Sequence, residues 1–228
     1  MADDRPRGAA AAAGRPGPVV PAGVIAVVRA ATAAQARVIV HGLVRAAVPA
    51  IELTLTVPGA LTILAEAARA VAPGSGTMLG AGTVLDRRAC EEAVAAGARF
   101  VVSPVTDPPV LEQAHRDGVP YVGGALTPTE VLASMRAGVD AVKLFPVGSV
   151  GGPAYLRALR EPLPALRAVV SGGIGAGEVR DYLAAGAHAV CLGGALIDRA
   201  AASRGDVEAI AARARQALAQ IREVPEPC

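Results

Sequence analysis

From Val24 onward, short β-branched runs alternate with longer Ala/Leu/Glu/Arg stretches, and a glycine returns at one fixed place in that rhythm. It stands as Ala-Gly-Ala at 96–98, Asp-Gly-Val at 117–119, Ala-Gly-Val at 137–139 and Ala-Gly-Ala at 185–187, each time just before a β-branched or aromatic run. A strand, a helix and a left-handed glycine closing the helix make one βα unit, so the pattern calls for a parallel sheet. Eight strands are expected: 24–28, 51–56, 78–81, 100–102, 121–122, 141–145, 168–171 and 189–192. Eight such units closing on themselves satisfy both edges of every strand. The fold expected is therefore α/β, a single-domain TIM (β/α)8 barrel. A doubly wound open sheet is the competing architecture, but no GxGxxG opens the first unit and the strand count suits closure.

The intervening helices carry expected ends. Thr32, Asp86 and Asp107 suit N-caps, Pro58 and Pro153 suit a first turn, and Gly97, Gly118, Gly138 and Gly186 fall where C′ glycines belong. With 228 residues, over half of them hydrophobic, the chain can bury a sizeable core. The expected organisation is an N-terminal extension at 1–18, the barrel at 19–220 and a tail at 221–228. The Ala/Gly/Pro/Arg mixture before the barrel buries too little surface to offset ordering entropy, so it is expected to be disordered.

A formal charge of +2 and only five aromatic residues leave neither an electrostatic footprint nor a stacking platform for nucleic acid. No apolar run reaches the ~18 residues needed to cross a bilayer. Cys90, Cys191 and Cys228 are widely spaced and odd in number, which suggests reduced cytosolic thiols, two of them ordinary small core residues. His41, His115 and His188 lack ligand spacing, so neither a metal nor another cofactor is expected.

In a barrel, alternate strand residues face the interior, and functional groups come from the C-terminal ends of strands. The run Ile-Glu-Leu-Thr-Leu-Thr at 51–56 places Ile51, Leu53 and Leu55 toward the helices, and Glu52, Thr54 and Thr56 inward. An interior carboxylate needs a partner or a function. Glu52 is either half of a buried salt bridge to Arg29 or Lys143, a carboxylate exposed at a strand end, or a general base. At 141–146, Lys143 shares a face with Ala141 and Phe145. Desolvation makes an amine easier to deprotonate, and a neutral amine attacks ketones, so Lys143 is a candidate Schiff-base nucleophile; a lysine that snorkels to water is the alternative.

Gly80-Ala81-Gly82-Thr83-Val84 follows the third strand, with small residues able to admit a ligand and a Thr83 hydroxyl able to orient an oxyanion; a capped turn explains it equally. Ser171-Gly172-Gly173-Ile174 and Gly193-Gly194-Ala195-Leu196 follow the last two strands. Paired glycines in those two loops, each opening onto a helix, suit phosphate.

With these pieces in place, the chain resembles the class I 2-keto-3-deoxy-6-phosphogluconate (KDPG) / 4-hydroxy-2-oxoglutarate (KHG) aldolases from about Val24 to Ala217. The likeness rests on Val-Ile-Ala-Val-Val-Arg at 24–29, Ile-Glu-Leu-Thr-Leu-Thr at 51–56, Gly-Ala-Gly-Thr-Val at 80–84, Leu-Thr-Pro-Thr-Glu at 126–130 and Val-Lys-Leu-Phe-Pro at 142–146. The resemblance implies that Lys143 forms the imine, Glu52 moves protons, and Arg29, Thr56, Thr83 and Pro146 contact substrate. It further implies that Ser171, Gly172, Gly173, Gly193 and Gly194 hold phosphate. A phosphorylated 2-keto acid as substrate, a cytoplasmic location and a homotrimer belong to the same implication. Two positions depart: Thr56 stands where some members have an arginine, and Ala195 where some have a serine. The rival readings are a barrel isomerase or synthase without a covalent step, and a non-catalytic sugar-phosphate binder.

Overall fold

The computed structural model describes residues 20–72 and 74–222, so the extension expected at 1–18, Cys228 and most of the expected tail lie outside it. Strands β1 (Gly23–Val28), β2 (Ala50–Thr54), β3 (Met78–Gly82), β4 (Val101–Val102), β5 (Tyr121–Ala125), β6 (Ala141–Leu144), β7 (Ala168–Val170) and β8 (Ala189–Leu192) form a closed barrel in sequence order. All neighbours are parallel, and β8 returns to β1. The helices between them are α1 (Ala33–Arg45), α2 (Ala60–Ala70), α3 (Arg87–Ala95), α4 (Pro108–Arg116), α5 (Pro128–Ala137), α6 (Gly152–Arg160) and α7 (Val179–Ala184). After β8 come α8 (Arg199–Ser203) and α9 (Val207–Arg222). The fold is the single-domain TIM barrel.

The alternation read from the sequence separates two cores. Val24, Ala26, Val28, Ile51, Leu53, Val142 and Leu144 pack outward against helices, while Ile25, Val27, Phe100, Val102, Val122, Val169 and Cys191 fill the interior. Thr32, Asp86 and Asp107 cap α1, α3 and α4 by accepting from Gln35, Ala89 and Val110 amides. Leu-Thr-Pro-Thr-Glu is also a cap. Thr127 accepts from the Glu130 N–H, and Glu130 accepts from the amides of Thr127 and Leu126, which hold its carboxyl below the usual range. Pro58, expected in a first helical turn, instead precedes Gly59, the N-cap of α2.

β5 runs three residues further than its sequence suggested, through Gly123 and Gly124. They are there because the loop after β4 crosses them. A Cβ on Gly124 would lie 2.0 Å from the Pro104 carbonyl, and one on Gly123 would lie 2.5 Å from Thr106 Oγ1. Since the obstacle at Gly124 is backbone, Gly124→Ala is expected to lower stability by about 3 kcal/mol, the upper part of the overpacking range. Urea unfolding checks this, and a loss under about 0.5 kcal/mol, the range of neutral surface changes, would show the loop to be free to move.

Candidate active site

Glu52 enters the interior from β2, flanked by the outward Ile51 and Leu53, and has no exposed surface. Gly82 makes its space: a Cβ there would lie 2.0 Å from Glu52 Oε1. Gly80, the register partner of Glu52, yields similarly to the Phe100 ring. These glycines were expected to let a ligand approach, but it is protein side chains they admit.

Lys143 enters from β6 across the barrel. Its Nζ lies 3.2 Å from Glu52 Oε1 and 3.4 Å from Oε2, with the side chain only 5% exposed. Of the two partners the sequence left open for Glu52, the structure selects Lys143; Arg29 is exposed just past β1. Removing two charges from water is costly and is recovered only in part by their attraction, so this pair is poor evidence for a stabilising device and better evidence for a functional one. The Nζ stands 6.0 Å from the centroid of the Phe145 ring. The buried Cys191 thiol is pushed up to about 12 by desolvation and by Glu52, with Lys143 and Ser171 opposing.

Lys143 lines a cavity of about 410 Å³ at the C-terminal end of the barrel, together with Phe145, Arg29, Ser171 and both diglycine loops. Sequence reasoning thus brings Lys143, Arg29, Ser171, Gly172, Gly173, Gly193 and Gly194 to one place. Thr56, Thr83 and Pro146 do not line it, and neither does Glu52, which is fully buried and meets it only through Lys143. β2 ends at Thr54, so Thr56 lies in the turn beyond, exposed, and shares a 3.0 Å hydrogen bond with Thr54 Oγ1 rather than pointing into the barrel. Thr83 is half-buried at φ 59°, a costly conformation for a β-branched residue. Pro146 backs the first diglycine loop, its Cα 2.9 Å from where a Gly172 Cβ would be.

The loops differ in one respect from expectation. The first amides of α8, those of Ala200 and Ala201, donate to Asp198, and the Gly175 amide donates to Glu178. Those amides are therefore occupied, and the donors left for an anion include those of the diglycines, for which no acceptor exists among the described residues. Arg199, at the start of α8, also lines the cavity and was missed. Only its place six residues beyond Gly193 could have suggested it. Cys191 was read as a core thiol, and its inward register with Ala189 already pointed to the site.

A sequence model described as KDPG and KHG aldolase matches residues 19–213. The chain belongs to this family. It is 34% identical over 106 residues to a 2-dehydro-3-deoxy-phosphogluconate aldolase of Pseudomonas aeruginosa, a match covering 46% of this chain and 48% of that protein. The aligned part of the chain spans about half the length of the curated relatives it matches. The crystal structure of a 2-keto-3-deoxy-6-phospho-gluconate aldolase from Zymomonas mobilis superposes with a TM-score of 0.72 at 27% identity, covering 86% of this chain and 92% of that one. A KDPG aldolase from Legionella pneumophila, captured with pyruvate as a covalent carbinolamine, reaches 0.76 at 24% identity, covering 86% and 94%, a likeness of fold. Among the described residues no helix is long and apolar enough to cross a membrane.

Proposed function

We propose that the chain is a class I aldolase that cleaves 2-keto-3-deoxy-6-phosphogluconate to pyruvate and glyceraldehyde 3-phosphate, and also 4-hydroxy-2-oxoglutarate to pyruvate and glyoxylate. The observation that carries this reading is a nearly buried amine at a cavity, 3.2 Å from a fully buried carboxylate. Proton transfer from Lys143 to Glu52 gives the neutral amine, which attacks the C2 ketone. Water leaves, and the protonated imine becomes the electron sink. Glu52, having passed its proton to the departing water, takes the C4 hydroxyl proton directly or through a water. The C3–C4 bond breaks, its electrons form an enamine, and the aldehyde departs. Glu52 then protonates C3, and water hydrolyses the imine to release pyruvate and the lysine.

The diglycine amides and Arg29 support the placement of the distal phosphate beside β7 and β8. Thr83 and Thr56 lie just past β3 and β2 and outside the lining of the Lys143 cavity, so their contact with the pyruvyl end rests on the family resemblance alone. The family resemblance adds a homotrimer in the cytoplasm. Borohydride with pyruvate is expected to leave a reduced adduct on Lys143, located by mass spectrometry of the digested chain. A lysine that stays unmodified while pyruvate is produced would eliminate the covalent route and favour a barrel enzyme that uses Lys143 and Glu52 only as an ion pair.

A further inference from the structure

Two guanidiniums border the cavity without a carboxylate between them. Arg29 and Arg199 both line it, and both line a second hollow of about 380 Å³ between α1 and α8. Gln35 Nε2 donates to Ser203 Oγ across that gap, tying the two helices together. Among the described residues, neither arginine has an acid within 4.0 Å or a hydrogen-bond acceptor, whereas Arg37, Arg45, Arg87 and Arg88 are each paired with a glutamate. Asp198, next to Arg199 in sequence, accepts from the Ala200 and Ala201 amides, and its carboxyl is held low chiefly by the Ala201 N–H. Two unpaired cations at one opening attract an anion more strongly than either alone.

We propose that Arg199 is a specificity-determining residue: with Arg29 it grips the distal phosphate, and it sets the preference for a phosphorylated over an unphosphorylated 2-keto acid. The proposal rests on the aldolase reading and goes beyond it, since the diglycine amides by themselves offer no charge. Ala195 offers no hydroxyl, so a side-chain donor must come from elsewhere, and a phosphate dianion presents three oxygens to two planar forks. A substrate ending in a hydroxyl gives those forks no anion to hold.

The test compares kcat/KM of the full chain on 2-keto-3-deoxy-6-phosphogluconate and on 2-keto-3-deoxygluconate. Arg199→Ala is expected to lower the ratio of the two by about tenfold to a hundredfold, the worth of a hydrogen bond to an ionised acceptor, mainly through KM for the phosphorylated substrate. Inorganic phosphate should also weaken as a competitive inhibitor, and Arg199→Lys should restore part of both effects. An unchanged ratio, or an equal loss on both substrates, overturns the proposal. Borohydride trapping on the same preparations keeps the failures apart. Without a trapped lysine in the unaltered chain the aldolase reading itself falls, whereas a trapped lysine with an unmoved ratio sinks only the role of Arg199.

Discussion

Lys143→Met is expected to lower turnover by on the order of 10⁴-fold or more, since it removes the only group that can make the ketone an electron sink. Methionine keeps most of the stem and its packing but cannot form an imine. The variant also strands Glu52, which has no exposed surface and loses its only ionic partner among the described residues. Breaking a buried pair from one side costs about 3–5 kcal/mol, so the midpoint of unfolding should fall with activity. The double variant Lys143→Met, Glu52→Gln replaces the stranded charge by an amide and is expected to recover much of that stability without recovering turnover. Activity is read by coupling pyruvate to lactate dehydrogenase, and folding by circular dichroism through a denaturant series. A folded Lys143→Met chain with a tenth or more of the original rate would remove the covalent mechanism. A double variant that stays as unstable as the single one would mean that the ion pair was not what the single change broke.

The alternation along β2 and β6 was legible because a one-residue slip would exchange every side chain between the outer core and the interior. Glu52 and Lys143 could thus be oriented separately. Lys143 was one of two partners open to Glu52, and the choice between them could not be read, because the residues are 91 positions apart and come together only when eight strands close. Local chemistry was equally clear at Thr32, Asp86 and Asp107, whose caps need partners only three residues away. Where the outcome depended on distant backbone, the reading failed. Gly123 and Gly124 looked like a strand end until the chain at Pro104 was seen crossing them, and Gly82 looked like room for ligand until Glu52 filled it. Thr56 was assigned inward by extending the alternation past the last ladder bond, although the turn closed by the Val57 amide on the Thr54 carbonyl had already ended it. Arg199 belongs to no periodic pattern, and its place at the cavity follows from where α8 begins.

Glu52→Gln separates the two halves of the proposed chemistry. The amide keeps the shape of the side chain, so the space left by Gly82 and the contact with Nζ are preserved, but it cannot carry a proton between oxygen and carbon. Lys143 borders the cavity, so its ammonium can lose a proton to water when Glu52 no longer accepts it. Imine formation with pyruvate should therefore reach the same final extent under borohydride, though more slowly. Cleavage differs, because the C4 hydroxyl proton must leave as the C3–C4 bond breaks. Turnover is expected to fall by about 10²- to 10⁴-fold, the usual worth of a positioned acid or base. Single-turnover kinetics distinguish the steps: the imine should accumulate in Glu52→Gln and not in the unaltered chain. Stability should fall less than in Lys143→Met, because the charge left behind borders the cavity rather than being sealed in the core. If the amide variant cleaved substrate within about threefold of the original rate, proton transfer would have to be assigned to another group or to water, and Glu52 would be left as the partner that holds Lys143 in place.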